Sequence, residues 1–205
     1  MRHKLVIATR NAGKIAELRR ILDSLSEGAI ELVGVDQFPD LVDVQETGST
    51  FKENSLLKAR YTASMTGLPS IADDSGICID ALDGAPGIFS ARWAGDHGND
   101  QANVEKVLDE LKDVPDHKRG AHFICAASLA MPDGREIVEE GLFHGRILRA
   151  PIGNQGFGYD PIFSPLGMSI SLAQMSGDEK DLVGHRGKSL RALVPHVIEM
   201  LGELG

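Results

Sequence analysis

The segment 71–87 concentrates acidic side chains among small and apolar residues. Its sequence is IADDSGICIDALDGAPG, and it places four aspartates within eleven positions: Asp73, Asp74, Asp80 and Asp83. Adjacent carboxylates repel each other, and burying either one is costly unless a cation or a hydrogen-bond donor compensates it. Proteins bind Mg²⁺ through one or two carboxylates together with phosphate oxygens and water. Asp74 and the earlier Glu46 would form such a pair, whereas Asp83, next to Gly84, is typical of a turn.

A second group lies between the first predicted strand and the first predicted helix, in the stretch TRNAGK from Thr9 to Lys14. The N-terminus of a helix exposes unpaired amides and a partial positive charge, and Lys14 adds a full charge in the first turn. This combination favours binding of an anion such as phosphate. It is not a Walker A loop, because that motif requires a glycine at Ala8 and a Ser or Thr at Ile15. An ordinary strand-to-helix turn capped by Asn11 is an equal alternative for this stretch alone.

A third group is the glycine-rich segment GNQGFGYDPIF over residues 153–163. Glycines beside Phe157 let the backbone approach a flat ligand, and the ring could stack on a nucleobase, a contact of about 1–3 kcal/mol. The dinucleotide-binding fingerprint fails here, since Asp160 and Pro161 stand where a further glycine is required. A turn between strands, anchored by its aromatic side chains, is a serious alternative.

A fourth group, DEKDLVGHRGKSL, places basic side chains ahead of the last predicted helix. Arg186 offers a planar fork of donors and His185 a ring N–H, so the pair could hold a ring that carries a carbonyl oxygen. Lys180 and Lys188 add positive charge nearby, and solvated surface is the alternative for a basic loop considered alone. The histidines form no H-E-x-x-H or Cys/His zinc pattern, and no G-x-S-x-G elbow occurs, which argues against zinc and serine chemistry.

Composition narrows the class of protein. The 205 residues are enough for one sizeable core and contain no repeat or linker, so we expect a single domain over 1–205. A net charge of −9 disfavours a nucleic-acid surface, although a basic pocket or a bound cation can still attract a small anion. The N-terminal apolar run is too short for a signal peptide, and nothing approaches a membrane span. Cys78 and Cys125 lie in apolar runs, which is typical of buried reduced thiols in a cytoplasmic protein.

Alternating strands and helices are predicted to position these groups. The hydrophobic spacing predicts strands over 4–9, 30–35, 69–73 and 76–80, and helices over 13–25, 50–67, 103–112 and 187–204. The two short strands would bracket an acidic loop, and Thr50 with Glu53 fits a capping box. Two strand-like runs between 120 and 148 meet at a Pro-Asp-Gly turn, which predicts an antiparallel hairpin and hence a mixed sheet. Pro195 predicts a kink or break in the last helix.

Five stretches occur together and in order: TRNAGKIAEL, ETGSTFKENSLLKAR, ADDSGICIDALDGAPGIFSARWAG, GFGYDPIF and HRGKSL. Together they resemble the bacterial inosine/xanthosine triphosphate pyrophosphatase family, the house-cleaning nucleotide enzymes, from residue 5 to about residue 194. The resemblance implies an α/β fold with a mixed, elongated sheet flanked by helices, two lobes around a central active-site cleft, and a homodimer. It also implies hydrolysis of inosine and xanthosine triphosphates, in ribo and deoxyribo forms, to monophosphate and pyrophosphate.

The resemblance also implies roles for individual residues. Mg²⁺ ligation falls on Glu46 and Asp74, and Asp74 is also the implied proton acceptor. Phosphate binding falls on the loop of Thr9, Arg10, Asn11, Ala12, Gly13 and Lys14. Many relatives have glycine at the position of Arg10, whose side chain would either crowd the loop or add phosphate affinity. The remaining substrate contacts fall on Ser75, Phe157, Gly158, Tyr159, Asp160, Lys180, His185 and Arg186.

Two other functions stay open at this point. The first is a regulator that binds a nucleotide without turnover, against which the intact Glu46 and Asp74 argue. The second is a pyrophosphatase for other damaged nucleotides, such as pyrimidines. In the favoured interpretation the partner is a purine nucleoside triphosphate, the cofactor is Mg²⁺, and neither nucleic acid nor a membrane is involved.

Overall fold

The computed structural model describes residues 3–26, 28–96 and 98–203. Within these ranges the strands are β1 His3–Ile7, β2 Ile30–Gly34, β3 Ser70–Ile79, β4 Gly120–Ala130, β5 Glu136–Ile147 and β6 Phe163–Pro165. The helices are α1 Ala12–Ser26, α2 Phe51–Thr66, α3 Asp100–Glu110, α4 Gly177–Val183 and α5 His185–Gly202. No helix within the described ranges is long and apolar enough to cross a membrane.

The strands form one sheet in the order β2-β1-β3-β4-β5-β6. β1 pairs in parallel with both β2 and β3, and its Leu5, Val6 and Ile7 are fully buried, as is typical of parallel strands covered on both faces. β4 and β5 are joined by a tight turn in which the Met131 amide donates to the Arg135 carbonyl at 2.8 Å, and β5 pairs with β6 in antiparallel orientation. The predicted hairpin and the predicted mixed α/β sheet are therefore confirmed.

β3 corrects the prediction of two short strands around an acidic loop. It is a single strand of ten residues, so Asp73 and Asp74 lie inside it. Successive side chains of a strand point to opposite faces of the sheet. The two adjacent carboxylates therefore face apart, which relieves the repulsion that favoured a loop. The turn expected at Asp83 is present, because this residue has a φ of +51° and donates its amide to the Asp80 carbonyl at 3.2 Å.

α2 begins and ends where its capping residues predict. The Thr50 hydroxyl accepts the Glu53 amide at 3.2 Å, and Gly67 follows the helix in the left-handed conformation with a φ of +66°. The Glu53 carboxylate reaches back toward the start of the helix, as the capping box predicts. Its Oε2 accepts from the Ser49 amide at 2.6 Å and from the Ser49 hydroxyl at 2.7 Å, and the Thr50 amide makes a smaller contribution. These bonds to Ser49 lower the pKa of the Glu53 carboxyl.

α5 continues through Pro195 without interruption. Of the predicted kink or break at this residue, the break is therefore wrong, and the kink stays a prediction. Pro195 removes one backbone donor, but Leu193, Val194 and Val197 on either side of it are buried in a hydrophobic core. Burying an aliphatic side chain contributes about 1.5–3 kcal/mol, so three of them outweigh one missing hydrogen bond.

The chain divides into two compact units. The first unit comprises the described residues of Met1–Asp74, Cys125–Gly141 and Arg186–Gly205, and the second comprises those of Ser75–Ile124 and Leu142–His185. Each unit has its own hydrophobic core. The single domain and the two lobes around a cleft, as expected from the sequence, stay predictions.

The two cores differ in what builds them. Aliphatic side chains dominate the core of the first unit, with Leu18 of α1 and Leu193 of α5 among its fully buried members. The core of the second unit contains aromatic rings, among them Phe123 and Phe163 with ring centroids 4.8 Å apart. Buried Arg119 also belongs to the second unit and donates to main-chain carbonyls, including that of Leu111 at 2.6 Å.

Candidate active site

The carboxylate of Asp74 lies against α2, where one lysine joins it to Glu46. Lys58 Nζ is 2.7 Å from Glu46 Oε1 and 3.2 Å from Asp74 Oδ1. Asn54, one helical turn earlier, donates to Asp74 Oδ2 at 3.3 Å and accepts the Gly48 amide at 2.8 Å. Residues four apart share one face of a helix, so α2 holds both Asp74 and the segment that carries Glu46. The predicted pair of acids therefore meets at a single ammonium group.

Burial has the largest effect on the protonation of this cluster. It raises the pKa of Asp74, and the Glu46 carboxylate raises it further, whereas Lys58 and Lys14 act against the rise; the net shift is upward. Burial alone would lower the pKa of Lys58, but the carboxylates of Asp74 and Glu46 outweigh it, and that pKa is raised. A carboxylate with a raised pKa is a stronger base than a surface aspartate. The cluster thus combines a base with an adjacent cation.

Asp73 is the centre of a buried ion-pair network. Its Oδ2 lies 3.2 Å from Lys14 Nζ and 3.1 Å from Arg186 Nη2, and Arg186 also contacts Glu17. Asp73 is 0% exposed and Arg186 is 1% exposed. Burial would raise the pKa of Asp73, yet Lys14 and Arg186 outweigh it and hold that pKa well below its usual range. Likewise, Asp73 and Glu17 outweigh the effect of burial on Arg186, whose pKa is raised.

This network gives Arg186 a structural explanation that the sequence did not supply. Its Nε and Nη2 both donate to Asp73 Oδ2, and its Nη1 donates to Glu17. A guanidinium suits such a site because it presents several donors in one plane and stays charged when buried. The direct contact between Arg186 and a ring carbonyl stays a prediction.

The stretch Thr9–Lys14 is a capped helix start that also directs a cation toward β3. Asn11 Oδ1 accepts the Lys14 amide at 3.1 Å, and the Thr9 hydroxyl accepts the Asn11 amide at 3.2 Å. The predicted cap is therefore confirmed. It is compatible with an anion site, because α1 begins at the exposed Ala12, followed by the half-buried Gly13.

Arg10 bonds with the segment that leads to Glu46. Its Nε donates to Asp43 Oδ1 at 2.7 Å, and its Nη2 donates to the Leu41 carbonyl. Its positive charge is thereby shared with an acid, in an ion pair that is exposed at both ends. A direct contact between Arg10 and phosphate stays a prediction.

The second unit contains the glycine-rich loop and Lys180. Asp160 Oδ2 accepts from the Phe157 amide at 3.3 Å and from Lys180 Nζ at 2.8 Å. A Cβ at Gly156, whose φ is +84°, would lie 2.0 Å from that same oxygen and 2.2 Å from Lys180 Nζ. Any other residue here would displace this ion pair and take a strained backbone conformation. The segment is a turn held by the Asp160 carboxylate, whereas the alternative proposed from the sequence was a turn anchored by aromatic side chains.

Three further residues of the second unit were predicted to contact the substrate: Tyr159, His185 and Ser75. The Tyr159 hydroxyl donates to the Ser90 carbonyl at 2.8 Å, and burial raises the pKa of Tyr159. The His185 ring stacks on Phe123, with centroids 4.8 Å apart and an angle of 10° between the planes. Ser75 is half-buried in β3.

The structure brings together predicted residues within each unit and adds residues that the sequence analysis missed. Lys58 and Asn54 were assigned no role, although their spacing of four on a predicted helix signals a shared face. The partners of Asp73 could not be found in this way, because the contact between Asp73 and Arg186 spans 113 positions.

The donor set at Glu46 and Asp74 fits Mg²⁺. Within the described ranges no group of three or more His, Cys, Asp and Glu side chains is placed to hold a metal ion. Two carboxylates match the usual protein share of a Mg²⁺ shell, in which substrate phosphates and water supply the other oxygens. Both acids already contact one cation, Lys58, so this position is one at which positive charge is stabilised.

Fold and site together define an α/β protein with a mixed sheet, in which one strand carries two cation-paired aspartates beside a capped helix start. The model of the Ham1 family matches residues 5–196. The chain belongs to the Ham1 family. This membership confirms the family predicted from the sequence motifs.

Similar proteins cover almost the whole chain. A Streptomyces coelicolor protein named dITP/XTP pyrophosphatase is 56% identical over 199 residues, which span 97% of this chain and 99% of that protein. A Corynebacterium efficiens protein of the same name is 50% identical and spans 98% of this chain and 100% of its own. The crystal structure of a nucleoside-triphosphatase / dITP/XTP pyrophosphatase from Mycobacterium abscessus is 47% identical with a TM-score of 0.76, covering 95% of this chain and 99% of that one. A HAM1 protein structure from Coxiella burnetii is 39% identical with a TM-score of 0.85, covering 96% and 99%.

Proposed function

We propose that this protein hydrolyses purine nucleoside triphosphates with altered bases, dITP/ITP and dXTP/XTP, to the monophosphate and pyrophosphate. Such an activity cleanses the nucleotide pool and prevents incorporation of these bases into DNA and RNA. Membership of the Ham1 family and the names of its relatives support the proposal. The observation that carries it is the cluster of Glu46, Lys58 and Asp74 beside the Lys14 helix start.

Mg²⁺ is the proposed cofactor, and Glu46 and Asp74 are the residues that would hold it. When bound, Mg²⁺ neutralises phosphate oxygens and lowers the pKa of bound water. The proposed Mg²⁺ site lies in a chain with a net charge of −9, and this negative charge by itself repels a triphosphate. Lys14 and Lys58 supply further positive charge to the phosphates.

Asp74 is the proposed proton acceptor. Its pKa is raised by burial and by Glu46, so its carboxylate takes a proton more readily than an exposed one. Asn54 and Lys58 each hold one of its two oxygens, which fixes the orientation of the carboxylate. Lys14 and the first amides of α1 would stabilise the charge that develops on the phosphate oxygens. No covalent intermediate is required.

Base selection is assigned to the segment from Phe157 to Asp160, together with Lys180, His185 and Arg186, and Ser75 is assigned a further substrate contact. A 6-keto purine presents an acceptor, whereas adenine presents an amino donor. A donor that faces a donor leaves buried groups unpaired at about 1–3 kcal/mol each. Two such mismatches therefore suffice for strong rejection of adenine.

The proposed function also includes an oligomeric state and a cellular location. We infer a homodimer from the resemblance to the family, and a cytoplasmic location from the two free cysteines. Sedimentation at several concentrations measures the mass of the particle, and a species of 22.0 kDa at all of them would contradict the dimer.

The decisive assay measures release of pyrophosphate from inosine, xanthosine, guanosine and adenosine triphosphates, with and without Mg²⁺. We expect release from the inosine and xanthosine substrates that depends on Mg²⁺. Equal rates with all four, or release of orthophosphate alone, would overturn the assignment.

Asp74→Asn tests the proton acceptor. We expect kcat to fall by about a hundredfold or more, while nucleotide affinity stays largely intact. Asp23→Asn, an exposed aspartate on α1, is the matched control and keeps full activity. A fully active Asp74→Asn enzyme would refute the role of Asp74.

A further inference from the structure

Two carboxylates hold the backbone amides on either side of the Phe157 side chain. The Phe157 N–H donates to Asp160 Oδ2 at 3.3 Å, and the Gly158 N–H donates to Asp100 Oδ2 at 2.7 Å. The first bond orients the peptide plane before Phe157, and the second orients the plane after it. Because a residue has only two soft backbone dihedrals, φ and ψ, the two bonds together fix the direction of the Phe157 Cα–Cβ bond.

The loop needs such restraints because of its composition. Gly156 and Gly158 flank Phe157, and both have positive φ, at +84° and +61°. Glycine has the widest choice of backbone conformations, so an unrestrained loop would let the aromatic ring change direction. Phe157 is 38% exposed, so packing holds the ring only in part.

Asp100 supplies its restraint from a rigid element. It is the first residue of α3, next to Asn99, whose side chain caps the helix by accepting the Ala102 amide at 3.1 Å. Asn103, on the same helix start, accepts the Ala94 amide at 2.7 Å. The helix therefore fixes the position of Asp100, although 58 positions separate it from Gly158.

We propose that Asp100 is a positioning residue that orients Phe157 for stacking on the base of the substrate. The inference rests on the proposed function, in which Phe157 lines the base pocket. Asp100 touches the Gly158 amide rather than the substrate. It therefore affects recognition of the base and leaves the chemistry at the phosphates unchanged.

Steady-state hydrolysis of inosine triphosphate by Asp100→Ala tests the proposal. We expect KM to rise by about threefold to tenfold, with kcat within about twofold of wild type. This is less than the full value of a hydrogen bond to a charged group, because the Phe157 amide keeps its bond to Asp160. The KM of Asp100→Asn should lie between those of wild type and Asp100→Ala, because its side-chain amide oxygen can still accept the hydrogen bond. Asp109→Ala, an exposed aspartate later on α3, is the matched control and should match wild type.

A double variant that combines Phe157→Ala with Asp100→Ala tests whether Asp100 acts through the Phe157 ring. In Phe157→Ala, removing Asp100 should raise KM no further, because there is no ring left to orient. An unchanged KM in Asp100→Ala would overturn the inference. So would an equal rise in KM when Asp100→Ala is introduced into the wild type and into Phe157→Ala.

Hydrogen exchange of the Gly158 amide, measured by NMR without nucleotide, separates this inference from the proposed function. We expect exchange at least about tenfold faster in Asp100→Ala than in wild type, since its acceptor is gone. Unchanged exchange would refute the restraint itself. Wild-type enzyme without turnover of inosine triphosphate would instead refute the proposed function, and with it the substrate role given to Asp100.

Discussion

Replacing Asp73 by asparagine removes one charge from the buried network and keeps the shape of the side chain. Asp73 Oδ2 lies 3.2 Å from Lys14 Nζ, 3.2 Å from Arg186 Nε and 3.1 Å from Arg186 Nη2. An amide at this place leaves two cations, Lys14 and Arg186, with less compensation, although Arg186 keeps its ion pair with Glu17. Removing one partner of a buried ion pair costs about 3–5 kcal/mol. We therefore expect Asp73→Asn to lose about 3–5 kcal/mol of unfolding free energy.

Thermal and urea unfolding measure this loss. For a chain of this size 1 kcal/mol corresponds to about 2–4 °C, so Tm should fall by about 6–20 °C. Asp23→Asn removes an exposed aspartate of α1 and should shift Tm by less than about 2 °C.

The pH dependence of the loss follows from the depressed pKa of Asp73. A carboxyl whose folded pKa lies below its unfolded value contributes stability above the unfolded pKa, and that contribution is lost as pH falls toward the folded pKa. The difference between wild type and Asp73→Asn should therefore stay constant from pH 8 to about pH 4 and shrink only below it.

Two results would refute this account of the network. The first is a loss under about 1 kcal/mol, similar to that of Asp23→Asn, because Asp73 would then not compensate buried cations. The second is a difference that disappears between pH 8 and pH 6, where Asp73 stays ionised in both the folded and the unfolded state.

Two further substitutions test the cluster and the last helix. Lys58→Met removes a cation that lowers the pKa of Asp74. The acidic limb of the pH–rate profile should therefore move to higher pH, and kcat/KM should fall by about tenfold or more. An unshifted limb would contradict the assignment of Asp74 as the base. Pro195→Ala restores a backbone donor on the exposed face of α5. It should raise the unfolding free energy measured by urea titration by about 1–2 kcal/mol. A loss of stability would instead show that packing of the proline ring stabilises the fold.

Local signals in the sequence predicted most of the elements. The Thr50 cap and Gly67 mark the two ends of α2 because each acts within one helical turn. The Pro-Asp-Gly turn likewise predicted the hairpin of β4 and β5. These elements depend on neighbours in the chain, which a sequence displays directly.

The errors arose where packing overrode a local rule. Adjacent aspartates suggested a loop, yet β3 continues through them because its two faces meet different cations. Pro195 suggested a kink or break, yet α5 continues without a break because the buried side chains around it stabilise the helix. In both cases the deciding contacts come from other elements of the fold.

The sequence by itself determined which side chains are available for chemistry and which elements carry them: the acids at 46, 73 and 74, the capped start of α1 and the glycine-rich loop. The tertiary structure alone decided the partners of each acid. Asp74 pairs with Lys58 and Glu46, whereas Asp73 pairs with Lys14 and Arg186. The reason is physical, because neighbours in a strand face opposite ways, and the cations that compensate them come from helices far apart in the chain.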